Sequence, residues 1–298
     1  MDTKLLTFIE VCQTKNYTMA AKNLNLTQPA VSQHIKSLEN EYDTKLINRN
    51  ENEIIITESG LILLKYAKRI QSLYNNLSRK IEDNKKYARS LIVGITHTAE
   101  SNITPEILAD YTAENSGTYI RIISDSISNL YDKLNNYQID LAIIEGNINR
   151  QSFSSILLGT DNLTFIVSPK NHLARKKIVD INDVKKEKLI LRNFDSGTTK
   201  LFISELEKMN YTIDNFNVNL EIDNVATIKD LVEKDFGVSI LPYSSCKKEI
   251  SENKLVALYI KNMNMTRETN LVYKEGNIDK IILNDLVGMF AEKIKSIR

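Results

Sequence analysis

The sequence predicts an α/β protein with an all-α helix-turn-helix region at the N-terminus, one long linking helix, and a larger region of alternating strands and helices. Three observations carry that prediction. Ala20 to Glu39 reads as two short helices meeting at Asn25-Leu26-Thr27. Residues 58–88 hold the longest helical pattern, with neither Gly nor Pro after Gly60. From Leu91 onward, short apolar runs recur at 91–95, 119–124, 139–144, 162–168, 188–191, 217–222 and 238–241, with helical patterns between most of them. Such alternation implies mainly parallel sheets. The stretch 91–298 fits two lobes around a cleft better than one large sheet.

At 298 residues, the length suggests about two domains. Hydrophobic residues at 42% and charged residues at 26% describe ordinary globular protein. No apolar run approaches the roughly 18 residues of a membrane span, and the start MDTKLLTF lacks the basic-then-apolar order of a secretory signal. Cys12 and Cys246 are too few and too distant for a disulfide framework or zinc site, and His34, His97 and His172 have no metal-ligand spacing. These features predict a cytoplasmic chain with no membrane partner, metal or cofactor. Net charge is uneven: −2 over residues 1–60, +6 over 61–90 and −3 over the remainder. A basic footprint for nucleic acid must therefore come from the placement of single cations, or from the long helix.

Leu5, Phe8, Ile9 and Cys12 recur at helical spacing, so residues 2–14 read as a first helix. Cys12 is then a small core residue or, alternatively, a redox switch. Ala20, Ala21 and Leu24 give the second helix its apolar face. Thr27 is a good N-cap, and Pro29 sits in the first turn, where a missing N–H costs nothing. Val31, Ile35 and Leu38 make the apolar stripe of the third helix, opposite Gln28, Pro29, Ser32, Gln33 and Lys36. Amides and hydroxyls can bond base edges in a major groove, and Lys can neutralise a phosphate. The alternative is an amphipathic pair with a solvated polar face. Residues 46–49 and 54–57 read as two strands of a small wing around Asn50 to Glu53. In the long helix, Leu63, Ala67, Ile70, Tyr74, Leu77 and Ile81 alternate in steps of four and three, a coiled-coil seam that Asn84 and Ala88 continue with weaker residues. A helix lying on its own domain is the other reading.

Together with Leu6, Phe8, Asn16-Tyr17-Thr18, Leu46-Ile47-Asn48-Arg49 and Ile56-Thr57-Glu58-Ser59-Gly60, the stretch resembles the LysR-type transcriptional regulators. Gln28-Pro29-Ala30-Val31-Ser32, followed by Ile35, Leu38 and Glu39, is the most specific part of the match. The resemblance implies a winged helix-turn-helix domain at 1–60, a dimerisation linker at 61–89, and a two-lobed periplasmic-binding-protein-like effector domain at 90–298. It places one lobe at about 90–162 and 267–298, the other at about 163–266, and the C-terminal helix 278–297 on the first. It implies double-stranded promoter DNA, a small effector, RNA polymerase and a second or fourth copy of the chain as partners, in a homodimer or homotetramer. DNA contact is expected from Lys22, Thr27, Gln28, Pro29, Ser32, Gln33, Lys36 and, by the resemblance, Arg49. Two departures stand out: Glu51-Asn52-Glu53 where a basic wing tip is usual, and Asp43 where Gly is usual. The segment LILRNFDSGTTK is similar to a branch containing sulfur-assimilation and carbon-fixation regulators.

Strand ends in α/β sheets converge on a cleft where a ligand meets helix N-termini. Candidate effector-binding residues are Thr96 and Thr98 after the first strand, Ser126 and Ser128 after the second, Arg192, Ser196 and Thr198 near a helix start, and Asn224 at another, with His97 as an extra. Each Ser or Thr alone suits a cap equally well; their recurrence at successive strand ends points to a small anion. Asp195 and Glu145 instead favour a zwitterion or cation. Arg192 reads either as a counter-ion or as a solvated strand end. A cytoplasmic binding protein or enzyme is the competing class. The chain has no phosphate-loop glycine pattern, nucleophile elbow or metal cluster, so no catalytic residue is assigned.

Overall fold

The computed structural model describes residues 1–50, 53–87, 89–146 and 153–297. The chain divides into two compact units, Met1–Lys86 with Asn135–Gln138, and Tyr87–Leu134 with Ile139–Arg298. The first begins with three helices, α1 (Thr3–Thr14), α2 (Tyr17–Asn23) and α3 (Gln28–Glu41). Each starts on a polar cap, as unpaired N–H groups of a first turn require. Asp2 accepts from the Lys4 N–H, Asn16 from those of Thr18 and Met19, and Thr27 from that of Ala30. Asn25 takes the left-handed backbone at φ 55° that turns the chain between α2 and α3. Phe8, Val11, Ala20, Ala21, Val31, Ile35 and Leu38 close the core between them.

Strands β1 (Ile47–Asn50) and β2 (Glu53–Ile56) form the wing, with Ile47 opposite Ile56. Glu51 and Asn52 of the acidic tip lie outside the described residues. Asp43, at φ 46°, adopts the left-handed conformation that suits glycine, so the turn before the wing keeps its shape without one. Helix α4 (Glu58–Lys86) follows at once. Its first turn crosses the wing so closely that a Cβ on Gly60 would lie 2.2 Å from the Leu46 carbonyl oxygen.

In the second unit, β3 (Arg89–Thr96), α5 (Thr104–Glu114), β4 (Thr118–Asp125), α6 (Ile127–Asn135) and β5 (Leu141–Glu145) alternate as predicted, and β3 runs parallel to both β4 and β5. Successive β3 residues point to opposite faces. Leu91, Val93 and Ile95 face α5 and the C-terminal helix, whereas Ile92 joins Leu130 and Leu134 of α6. Strand β6 (Ser154–Val167) leads into the second lobe, built from β7 (Ile178–Val179), α7 (Ile181–Val184), β8 (Lys188–Leu191), α8 (Gly197–Lys208), β9 (Asn217–Glu221), α9 (Val225–Glu233), β10 (Ser239–Pro242), α10 (Tyr243–Ser251) and β11 (Val256–Ile260). Strand β12 (Thr266–Tyr273) returns to the first lobe, where α11 (Lys280–Ile297) packs through Leu283, Leu286 and Phe290.

The expectation of mainly parallel sheets needs correction. The order β4-β3-β5-β12-β6-β11-β7 joins both lobes, and β12 is antiparallel to β5 and β6, as β10 and β11 are to β6. The chain crosses between lobes along β6 and recrosses along β12, so two neighbours on the same path must run in opposite senses.

Glu39 joins the third helix to the wing. Burial pushes its carboxyl upward, but Lys45 and the N–H groups of Leu46 and Ile47 hold it below the usual range. Glu39→Ala should destabilise by about 1–3 kcal/mol, the penalty for an unpaired buried N–H. A depressed carboxyl stabilises above the ordinary glutamate pKa of about 4.3 and loses that contribution as pH falls through the folded value. Denaturant unfolding followed by circular dichroism from pH 7 to pH 3 should show a steeper acid loss in the parent than in the variant.

Candidate functional site

The third helix presents the polar side that its sequence spacing predicts. Lys22, Thr27, Gln28, Pro29, Gln33 and Lys36 are exposed, and Ser32 is half-buried. The Gln28 amide donates to the Ser32 hydroxyl at 3.1 Å, which orders two hydrogen-bonding groups on one helical turn. His34 anchors the helix from behind: its Nδ1 lies 2.9 Å from the Thr7 hydroxyl, which itself donates to the Thr3 carbonyl. That hydroxyl has one proton, so His34 Nδ1 must be the donor. The backbone of Arg49 sits on β1, opposite Ile54.

Helix α4 divides into two parts. Leu63 packs against the helix-turn-helix core and Ala67 is fully buried, so the first turns do lie on their own unit. Ile62, Tyr66, Ile70, Tyr74, Leu77 and Ile81 are each 46–57% exposed and continue in steps of four and three. The exposed row therefore begins at Ile62 and Tyr66 rather than at Leu63 and Ala67. The side chain of Asn84 and all of Ala88 lie outside the described residues.

In the second unit, the C-terminal ends of β3, β4, β5 and β8 meet the start of α8 around a cleft of about 230 Å³. It gathers Thr96, His97, Thr98, Ser126, Arg192, Ser196 and Thr198. Ser128 lies outside this cleft, in a wider neighbouring groove, although its hydroxyl is 3.1 Å from that of Ser126. Asn224 lines none of these spaces and caps α9 through the Thr227 N–H. Ser196 is also a cap: its hydroxyl accepts from the Thr199 N–H at 3.2 Å and donates to the Thr199 hydroxyl. Arg192 is neither solvated nor an open counter-ion, because it is buried and bound to the carboxylate and carbonyl of Asp223.

Two hydroxyls remain. The Oγ1 atoms of Thr96 and Thr198 are buried, line the cleft, and have no hydrogen-bond partner among the described residues. An unpaired buried hydroxyl costs about 1–3 kcal/mol, a deficit that a bound polar group removes. The carboxylates around them are each compensated: Asp125 by Lys133 at 3.1 Å, Asp195 by Lys200 at 3.2 Å, Asp223 by Arg192, and Glu145 by Arg267 at 2.8 Å. Although burial pushes the Asp125 carboxyl upward, Asn129, Lys133 and the Ser126 N–H hold it below its usual range. Pairing removes the repulsion toward an anion that unpaired Asp195 and Glu145 would exert.

Arg267 was invisible to sequence reasoning, yet it is central. Its guanidinium is buried on β12 and donates to Thr98 Oγ1 at 3.0 Å, Glu145 Oε2 at 2.8 Å and Asp161 Oδ2 at 3.3 Å. Burial pushes Glu145 upward against the pull of Arg267. Its partners stand 169, 122 and 106 residues away, beyond any local pattern. Burial also raises the thiols of Cys12 and Cys246 to about 12, which keeps both protonated near neutral pH and makes Cys12 a core residue.

Fold and site together define a two-part regulator: a winged helix-turn-helix reader joined to a small-molecule-binding domain. Residues 84–293 match the LysR substrate binding domain, and residues 3–61 match the bacterial regulatory helix-turn-helix protein, lysR family. The chain belongs to the LysR family of transcriptional regulators. It is 28% identical over 265 residues to a probable RuBisCO transcriptional regulator of Trieres chinensis, covering 87% of this chain and 85% of that one. It is 27% identical over 271 residues to the HTH-type transcriptional regulator CysL of Bacillus subtilis, covering 90% and 89%. Its fold matches full-length CbnR, solved in complex with its target DNA, with a TM-score of 0.68, 16% identity and coverage of 98% and 99%.

Proposed function

We propose that the chain is a ligand-responsive, sequence-specific transcription factor. Residues 1–60 bind DNA, 61–89 pair two chains, and 90–298 hold a small anionic metabolite. The third helix enters a major groove with Gln28, Ser32 and Gln33 toward base edges, while Lys22, Lys36 and Arg49 meet phosphates. The observation that supports the effector reading best is the pair of unpartnered hydroxyls, Thr96 and Thr198, at the start of α8. A helix N-terminus favours negative charge, and two buried donors supply direction. RuBisCO regulators among the relatives agree with an effector drawn from central metabolism.

Three measurements test this reading. Ser32→Glu places a carboxylate among phosphates while leaving the Val31, Ile35 and Leu38 stripe intact. Anisotropy on an operator selected from random DNA should show binding weakened by about 1–3 kcal/mol for each hydrogen bond to a base edge that the variant can no longer make; unchanged binding moves the reading helix elsewhere. Leu77→Asp should give a smaller sedimenting particle at micromolar concentration, because a buried unpaired charge is costly. A parent-like particle places the pairing surface elsewhere. Finally, a thermal-shift screen of the full chain against sulfate, organic acids and amino acids should yield an anionic hit, worth about 2.7 kcal/mol at a hundredfold excess over Kd. Thr198→Val should abolish that shift and spare operator binding; purely cationic or apolar hits would falsify the anion assignment.

A further inference from the structure

A second cavity, of about 390 Å³, shares one wall with the cleft: Glu145 lines both. Its chemistry is different. Ile103, Phe290 and Ile294 give it an apolar side, with the part-exposed rings of Tyr243 and Tyr259 also in its lining. No buried side-chain nitrogen or oxygen in that lining lacks a partner. Asp161 accepts from the Ser244 hydroxyl at 2.7 Å, Thr164 donates to the Leu258 carbonyl, and Asn102 donates to Glu145 at 2.6 Å. The cleft thus offers unmet hydrogen bonds, whereas this cavity offers apolar surface and satisfied polar groups.

Charge narrows the occupant further. Glu145 and Asp161 share the single guanidinium of Arg267. An anion would face two carboxylates, and a cation would have to compete with a buried arginine already bonded to both. Lys247, the remaining cation in the lining, has an interaction of its own. An uncharged molecule meets neither obstacle, and apolar cavities admit small aromatic molecules readily.

A continuous set of bonds joins the two spaces. The Asn102 side-chain oxygen accepts from the Thr104 N–H at 2.7 Å, so it is held beside Ile103 in the cavity wall. Its amide nitrogen holds Glu145 Oε1, Glu145 Oε2 holds Arg267, and Arg267 holds Thr98 in the cleft. In a buried network, a displaced partner is not replaced by water, so a shift at Ile103 passes to Thr98. We infer that this cavity is a second ligand site, for a small uncharged aromatic or aliphatic molecule, whose occupancy is transmitted to the cleft through Asn102, Glu145 and Arg267. Only the importance of that transmission rests on the cleft being the effector site.

The test uses the full-length protein with 13C-labelled threonine methyls, and benzyl alcohol, benzoate and benzylammonium as probes. Benzyl alcohol should bind saturably and shift the Thr104 and Thr164 methyls, with both charged analogues at least tenfold weaker. Ile294→Trp, which fills the cavity from α11, should abolish the shifts. Gly159→Val does the same from the opposite wall, where a Cβ lies 3.0 Å from Ile294 Cδ1, and serves if the tryptophan variant is unfolded. Bound benzyl alcohol should also move the Thr98 methyl in the parent and leave it unmoved in Asn102→Ala. Absent binding, binding that survives both filling variants, or equal binding of a charged analogue overturns the site. Binding without a Thr98 response overturns the transmission. The cleft assignment stands or falls separately, on the anion response of Thr198→Val.

Discussion

A single buried guanidinium organises the effector-binding unit. Arg267 holds the end of β5 through Glu145, the segment after β3 through Thr98, and the crossing strand β6 through Asp161. All three partners are largely withdrawn from water, where an isolated charge would be costly. Removing one member leaves the others uncompensated, so the cluster constrains geometry more than it adds stability. It fixes where the ends of the parallel strands stand relative to α8, and therefore where the unpartnered hydroxyls of Thr96 and Thr198 meet.

The N-terminal unit obeys a different constraint, namely local satisfaction of backbone groups. Three short helices each begin on a side-chain acceptor, and Glu39 accepts the backbone N–H groups that open the wing. Local rules of this kind are readable from sequence, which is why Thr27, Pro29 and the Val31-Ile35-Leu38 stripe predicted the helix pair closely. Short apolar runs likewise marked β3 and β5.

What sequence reasoning missed was long-range. The first half of β6 carries Gly159, Thr160, Asp161 and Asn162, whose polarity reads as a loop; it is a strand because β12 pairs with it throughout. Strand β11 escaped notice for a similar reason, since its order depends on β6 and β7 on either side. In the cleft, spacing found the hydroxyls at strand ends but not which were already spent. Ser196 and Asn224 serve as caps, and Arg192 is held by Asp223 across 31 residues. The seam of α4 was legible as a period but not in phase, because only packing reveals that Leu63 and Ala67 are consumed by the unit they begin in.

The antiparallel pairing of β6 with β12 has a mechanical consequence. The two lobes are not joined by slack loops but by a hydrogen-bonded ribbon, which resists shear and stretching and yields mainly by twisting. Its weakest place is the bulge between Thr269 and Asn270, where Leu158 has no opposite number on the partner strand. Motion of one lobe against the other is thereby confined to a small rotation about that point. A ligand in the cleft can report its presence only as a change of angle.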